Sequence, residues 1–371
     1  MASFISEHAA KLADYIRMSR AAGARNDYVQ GGGGNTSVKF DERLMAIKAS
    51  GFRLDQIAEA DAYAVLDYAA LRGFYESTDP ATLEDVEKEG SSRAKAATQA
   101  IEGLPQLRPS VEAGFHSLLD AFVLHTHPVY ANLATCSAEG AVIAAEALEG
   151  LPESHAFVPY INPGAQLTFA IGRARRETEA RTGRKPAILF MQNHGLIITG
   201  ADADACLALN DEVNRRLAKA YGVSERDWPV VALAPGGAED AWVSATPWLK
   251  EKLLNTDWDL DFFTKQSLYP DQLVFLAGQM AVVERGSLAD ARAAGAAAPA
   301  KCTVFRETGE VSYVCKRGEA QTIEETLCAI LFIVGAIARS GRTLCTMDES
   351  GKDFIAGWES EKYRKSLAGR G

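Results

Sequence analysis

The run Ala121-Phe122-Val123-Leu124-His125-Thr126-His127-Pro128 constrains this chain more than any other stretch. Four mostly apolar residues read as a buried strand, closed by two histidines spaced i, i+2. On a pleated strand that spacing points both rings to one face, and the proline that follows stops the strand. Two imidazoles on one face make a chelate for a divalent metal. A third, His194, lies in another apolar, strand-like run over residues 189–198. Three histidines from two strands would leave one metal position open for substrate, which is the catalytic rather than the structural arrangement. A histidine at a strand end is often only a hydrogen-bonded core residue, so the pair alone is a weak signal. With six histidines in the whole chain, the signal gains from a glutamate shortly upstream and a glycine-rich loop near the N-terminus.

The glutamate is Glu112, thirteen residues before His125, in Pro109-Ser110-Val111-Glu112, which opens a short helix running to about residue 119. A carboxylate beside a divalent cation in a dry pocket acts as general base and acid. The bland alternative is a first-turn glutamate favoured by the helix dipole, and position alone leaves the two even. His116 follows four residues on and can face the same side, a supporting or surface role being as open as a direct one. The loop Gly31-Gly32-Gly33-Gly34 has too little side chain to pack. Successive N–H groups without Cβ atoms can curl around an anion, and Asn35 and Ser37 add hydrogen-bonding groups. A flexible turn between helix and hairpin is the alternative reading. Ser50-Gly51 and Ser110 would complete a small phosphate cradle. Neither a GxxxxGK[ST] loop nor a GxGxxG turn opening a helix is present, so a nucleotide triphosphatase or dinucleotide site has no support.

The 371 residues, 47% hydrophobic and 24% charged, fit a soluble globular protein of two domains, or of one with an appendage. A net charge of −10 argues against a non-specific nucleic-acid binder, while leaving room for a small anionic substrate held by backbone amides. Six cysteines without a CxxC pair point to a reduced, cytoplasmic compartment. No signal-peptide core follows the first residues. The most apolar run, residues 328–338, is about half the ~20 residues a membrane span needs, reads as a core helix and implies no membrane partner.

Periodicity and turn residues predict helices over 3–23, 138–148, 165–182, 202–221 and 320–339. They also predict hairpin strands at 38–40 and 44–48, a strand at 157–160, and a charged, solvent-facing helical insert over 80–103. Residues 232–237 read as a linker. Residues 271–277 and 302–315 read as strands, the second a hairpin turning at 307–310, and the alanine-rich 288–300 as a loop or short helix.

The ordered set GGGGNTSVK (31–39), KASG (48–51), RPSVE with its following histidine (108–116), HTHP (125–128) and QNHGLI (192–197) resembles the class II aldolase/adducin family over roughly residues 5–228. It is most similar to the long, rhamnulose-1-phosphate-aldolase-like members, and residues 357–364 resemble the way those aldolase halves finish. The resemblance implies an α/β, three-layer domain with a central, mostly antiparallel sheet over 1–230, and a smaller α+β extension over 240–371. It implies a homotetramer, because active sites in this family form between subunits. It places the metal ligands on His125, His127 and His194, the catalytic carboxylate on Glu112, and phosphate-binding positions on Gly34, Asn35, Ser50, Gly51 and Ser110. Zinc is the default metal, and three imidazoles also accept manganese, iron or cobalt. The implied activity is metal-dependent aldol cleavage of a phosphorylated or anionic ketose through an enediolate. The alternatives are epimerisation of a sugar phosphate or decarboxylation of a hydroxy acid at the same site, or an adducin-like binding role, although adducin-type domains lack the metal histidines. The chain departs from the pattern at Val111, where smaller members carry a second serine. For their proton-donating tyrosine Tyr160 is only a candidate. No glycine-rich dinucleotide turn of a following dehydrogenase appears after residue 228.

Overall fold

Strands β1 (Asn35–Lys39), β2 (Leu44–Lys48) and β3 (Tyr63–Asp67) form a meander in the computed structural model, which describes residues 4–357. Asp41 closes the first turn by accepting the N–H groups of Arg43 and Leu44 at 2.7 and 2.6 Å. β1 also pairs with β4 (Phe122–Thr126). With β5 (His155–Val158), β6 (Ile188–Met191) and β7 (Gly195–Gly200) the sheet runs in the order β3-β2-β1-β4-β7-β6-β5. Only the β5–β6 pair is parallel. Among the described residues these strands are accompanied by the α-helices α1 (Phe4–Glu7), α2 (Ala9–Gly23), α3 (Tyr68–Ser77), α4 (Val86–Ala97), α5 (Ala113–Leu118), α6 (Val129–Thr135), α7 (Gly140–Ala147), α8 (Ala165–Thr182) and α9 (Ala203–Ala220).

Register decides which side chains share a face, because directly opposed residues point the same way. Ile47 opposes Ser37, Ser37 opposes Val123, and Asn35 opposes His125; His125 opposes Ile197, which opposes Leu189. The face so defined packs Met45, Ile47, Leu66, Val123, Leu189, Met191 and Ile197 under α3, α4, α5 and α8. α2 and α9 cover the other face. Tyr15 and Ser19 hydrogen-bond to Thr36, and Asn210 lies 3.4 Å from the Thr126 hydroxyl. The result is helix–sheet–helix, three layers.

One stripe of the first face is polar. Where its neighbours offer Met45, Ile47 and Val123, β1 offers Asn35, Ser37 and Lys39, all buried. An unpartnered polar group there would cost about 1–3 kcal/mol, so α5 and its flanks meet the stripe with polar partners of their own. Lys39 illustrates this: its Nζ donates to the carbonyls of Leu119 and Asp120, just past the C-terminus of α5, the favourable end for a cation.

Helix α4 is more integrated than a solvent-facing insert. Val86 and Ala97 join the core under the sheet, and Gly90 sits against Ala165 of α8 too closely to admit a Cβ. His8 divides the first predicted helix into α1 and α2.

Contacts divide the chain into a unit running to Thr135 and over Glu139–Leu217, and a second comprising Cys136–Ala138 and the chain from Ala218. The second unit holds β8 (Leu233–Pro235), β9 (Ala241–Ser244), β10 (Met280–Val283), β11 (Cys302–Phe305) and β12 (Glu310–Val314), in the order β10-β11-β12-β9-β8. Its helices are α10 (Pro247–Asn255), α11 (Leu260–Thr264), α12 (Pro270–Leu276), α13 (Leu288–Ala293), α14 (Arg317–Arg339) and α15 (Glu349–Gly357). Two expectations are corrected here. The 232–237 segment contains a strand, β8, paired with β9. Residues 271–277 form helix α12, not a strand, because Pro270 occupies the first helical position, where its fixed φ favours helix and its missing N–H costs nothing. The strand comes just afterwards, as β10. The 302–315 hairpin turns through Gly309 at φ 63°. α14 is long and apolar enough to cross a membrane by composition alone, yet 83% of its apolar window is buried in the protein. It is a core helix, and its buried Glu324 accepts hydrogen bonds from Ser244 at 2.7 Å and from Tyr313. The aldolase-like tail beyond Gly357 lies outside the described residues.

Candidate metal centre

His125 is the fourth residue of β4, and register turns its ring toward the α5 side of the sheet together with Asn35. The strand has a close neighbour in Gly34, at φ 65°, where a Cβ would stand 2.6 Å from the His125 carbonyl oxygen. Only glycine meets both demands. His127 lies just past the strand, its N–H donating to the Tyr28 carbonyl at 3.0 Å. His194 is not inside a strand, as its apolar surroundings suggested. It closes the tight turn between β6 and β7, after Asn193 in the left-handed region at φ 49°. Asn193 donates to the Thr135 carbonyl at 2.9 Å, and His194 to that of Met191 at 3.1 Å. The next residue, Gly195, lets this turn press onto the histidine pair: a Cβ would meet the Thr126 oxygen at 2.5 Å and His127 Cδ2 at 2.8 Å.

The three rings converge. Their ligand nitrogens all lie within 4.8 Å of one another, and His125 Nε2 faces His127 Nε2 at 3.1 Å. His125 Nδ1–H donates to the Leu196 carbonyl at 2.9 Å, which fixes the tautomer and aims the Nε2 lone pair at the other rings. Glu112, at the N-cap of α5, sets Oε1 3.3 Å from His194 Nε2 and Oε2 3.6 Å from His125 Nε2. All four side chains are buried. Imidazole nitrogens turned onto one another beside a carboxylate, out of water, would be costly as a bare arrangement. The donor set fits a divalent cation.

Glu112 is held from the other side by the polar stripe. Asn35 Nδ2 donates to Glu112 Oε2 at 2.5 Å and to Ser110 Oγ at 3.1 Å, and the Glu112 N–H donates to the same Ser110 oxygen at 3.3 Å. His116 bridges Asn35 Oδ1 and Ser37 Oγ. Burial, reinforced by the neighbouring His125, pushes the His116 imidazole well below its usual range, so it is neutral.

The glycine loop, the Ser50-Gly51 turn and Ser110 meet beside this centre. Ser110 N–H donates to the Lys48 carbonyl at 3.2 Å, and Ser50 N–H to that of Arg108 at 2.9 Å. Lys48, 1% exposed, ties the loops together through Gly32 O at 3.3 Å and Phe52 O at 2.7 Å. Ser50 Oγ is buried without a hydrogen-bond partner among the described residues. Gly31 and Gly51 adopt φ 54° and 89°. Of the five phosphate candidates, Ser50, Gly51 and Ser110 line this cradle, while Gly34 packs on His125 and Asn35 reaches Glu112. Tyr160 stands half-buried after β5, its hydroxyl donating to Asn162 Oδ1 at 3.1 Å. Sequence reading missed the part played by Lys48. Its signal is a lysine ending the otherwise apolar strand Leu44–Lys48.

Compared with known proteins, residues 13–221 match the family model described as Class II Aldolase and Adducin N-terminal domain. No curated protein matches the chain significantly. Among solved structures, the N-terminal class II aldolase domain of a conserved protein from Thermoplasma acidophilum is 20% identical, covering 56% of this chain and 91% of that one at a TM-score of 0.46. An L-fuculose 1-phosphate aldolase is 19% identical, covering 59% and 86% at a TM-score of 0.39. YgbL from Klebsiella pneumoniae, a putative aldolase/epimerase/decarboxylase, is 15% identical, covering 59% and 92% at a TM-score of 0.39.

Proposed function

Because this chain belongs to the class II aldolase and adducin family, we propose that it is a metal-dependent aldehyde-lyase that cleaves a phosphorylated or otherwise anionic ketose through an enediolate. One observation carries the reading: three buried imidazoles converge within 4.8 Å and the Glu112 carboxylate lies 3.3 and 3.6 Å from two of them. A non-catalytic binding domain has no need of that cluster.

His125, His127 and His194 would hold the cation, zinc by default and manganese, iron or cobalt as alternatives compatible with imidazole ligands. Bound there, a divalent ion supplies Lewis acidity toward the carbonyl and adjacent hydroxyl oxygens of the substrate. Glu112 carries the proton to and from the carbon that becomes the enediolate carbon, from a carboxylate set beside His194 and His125. Asn35 holds the carboxylate in place, and Ser110 Oγ accepts from both Asn35 and the Glu112 backbone N–H. Ser50, Gly51 and Ser110 receive the anionic group of the substrate, and Lys48 ties the loops together through the Gly32 and Phe52 carbonyls. Burial of the whole cluster keeps water from the reacting carbon and strengthens each of these contacts.

The test is product analysis. Metal-loaded protein is incubated with a panel of ketose 1-phosphates, pentulose 5-phosphates and hydroxy acids. Release of an aldehyde with dihydroxyacetone phosphate supports the lyase. A stereoisomer without chain cleavage would replace it by an epimerase, and carbon dioxide by a decarboxylase. No turnover of any member by a protein with full metal content would end the catalytic reading.

A further inference from the structure

Asn35 is fixed at both ends of its amide, and the two ends are not equivalent. Its Nδ2 faces Glu112 Oε2 at 2.5 Å and Ser110 Oγ at 3.1 Å, while its Oδ1 faces His116 Nε2. Turned over, the amide would set an oxygen against a carboxylate, acceptor to acceptor. The two ends are nearly the same size, so shape does not choose between them; a donor at Oδ1 does. That donor is His116 Nε2–H: against the acceptor Oδ1 the ring carries its proton on Nε2, which leaves Nδ1 to accept from the Ser37 hydroxyl at 2.7 Å. The proton positions follow from the network, as they must for a histidine and an asparagine. β1 spacing makes the bridge: Ser37 and Asn35 lie two residues apart on the same face, with the His116 ring over both. Ser37, His116, Asn35, Ser110 and Glu112 are all at most 4% exposed.

We propose that His116 is a positioning residue for the acid–base step. As a neutral ring fixed by Ser37, it sets the orientation of the Asn35 amide, and that amide holds the Glu112 carboxylate against His125 and His194. The proposal rests on the reading of Glu112 as the acid–base group. A merely structural histidine would stabilise the packing of α5 on β1 and leave the carboxylate where it is.

Three full-length, metal-loaded variants test this: His116→Leu removes both hydrogen bonds, His116→Asn reaches Ser37 but not Asn35, and His116→Gln can still place a donor at Asn35 Oδ1. Each is crystallised, analysed for metal, and assayed for exchange of the dihydroxyacetone phosphate carbon-bound proton in heavy water. That compound is the smallest phosphorylated hydroxyketone the proposed reaction yields. Expected is unchanged metal content in all three, with Glu112 swung away from His194 in the Leu and Asn variants and in place in the Gln variant. Expected too is a fall in kcat for the Leu and Asn variants of about 10- to 100-fold, the size of one hydrogen bond to a charged group, with KM little changed and the Gln variant near wild type. A carboxylate that keeps its place in both the Leu and Asn variants would overturn the proposal, as would a Gln variant as impaired as the other two. If Leu fails to fold, Asn and Gln still decide the point. A wild-type protein that exchanges no proton would defeat the lyase reading instead, and the crystallographic arm would still decide what His116 positions.

Discussion

Glu112 sits within hydrogen-bonding distance of Asn35 and less than 4 Å from two histidines, where the proposed acid–base role can be tested apart from metal content. Glu112→Gln keeps the shape and the Asn35 contact but cannot carry the proton. It is expected to retain full metal content, read by plasma mass spectrometry, while turnover falls by roughly 100- to 10,000-fold, the usual worth of a general acid–base group. Near-wild-type turnover would remove Glu112 from the reaction. Lys39 supports a second prediction, about stability. Burial, then the nearby Arg175 charge, lowers its pKa to about 7 from the ordinary 10.5. Between these values the unfolded chain binds a proton that the folded chain does not, so folding stability rises with pH through that window. Below about pH 7 both states are protonated and the cost of burying the charge is fully present. The slope is at most about 1.4 kcal/mol per pH unit. Urea unfolding at pH 7.5 and 9, compared between wild type and Lys39→Met, should show that rise in the wild type and a smaller one in the variant. Equal slopes would mean that Lys39 stays charged in its pocket.

At the scale of elements, the first unit was largely legible because its signals are local. The histidine pair ending an apolar run marked β4, the turn residues Asp41, Glu42 and Arg43 marked the β1–β2 hairpin, and 165–182 coincides with α8. Errors came where an apolar stretch is short. Seven residues at 271–277 suit a strand or a buried helix equally by period, and Pro270 decided for the helix. His194 shows a different limit: hydrophobic neighbours on both sides concealed a turn, whose signal was Asn193 followed directly by a histidine and Gly195. The polar stripe of β1 was not legible at all, since only register shows that Asn35 and Ser37 share a face with His125. Gly195 is the hinge of this account. Gly195→Val would drive side-chain atoms into the Thr126 carbonyl and the His127 ring, costing about 1–3 kcal/mol by overpacking. The turn is expected to shift His194 off the pair and weaken metal binding at least ten-fold, measured by competition with a chromophoric chelator. Unaltered affinity would show that the tight approach of this turn does not set the site.

The family match spans residues 13–221 and contains the candidate metal centre. The family reading carries the expectation of a homotetramer, which sedimentation equilibrium tests directly: a mass four times that of the chain supports it, and a monomer that is fully active contradicts it. The convergence of imidazoles from β4 and from the β6–β7 turn is the claim on which the lyase chemistry stands. Anomalous diffraction from a crystal of the purified protein, collected at the absorption edge of whichever transition metal its fluorescence scan reveals, measures that convergence. A single strong peak within about 2.0–2.3 Å of one nitrogen from each of His125, His127 and His194 is the expected result. A peak elsewhere, or a protein that takes up no transition metal when soaked with zinc, manganese, iron or cobalt, would contradict it.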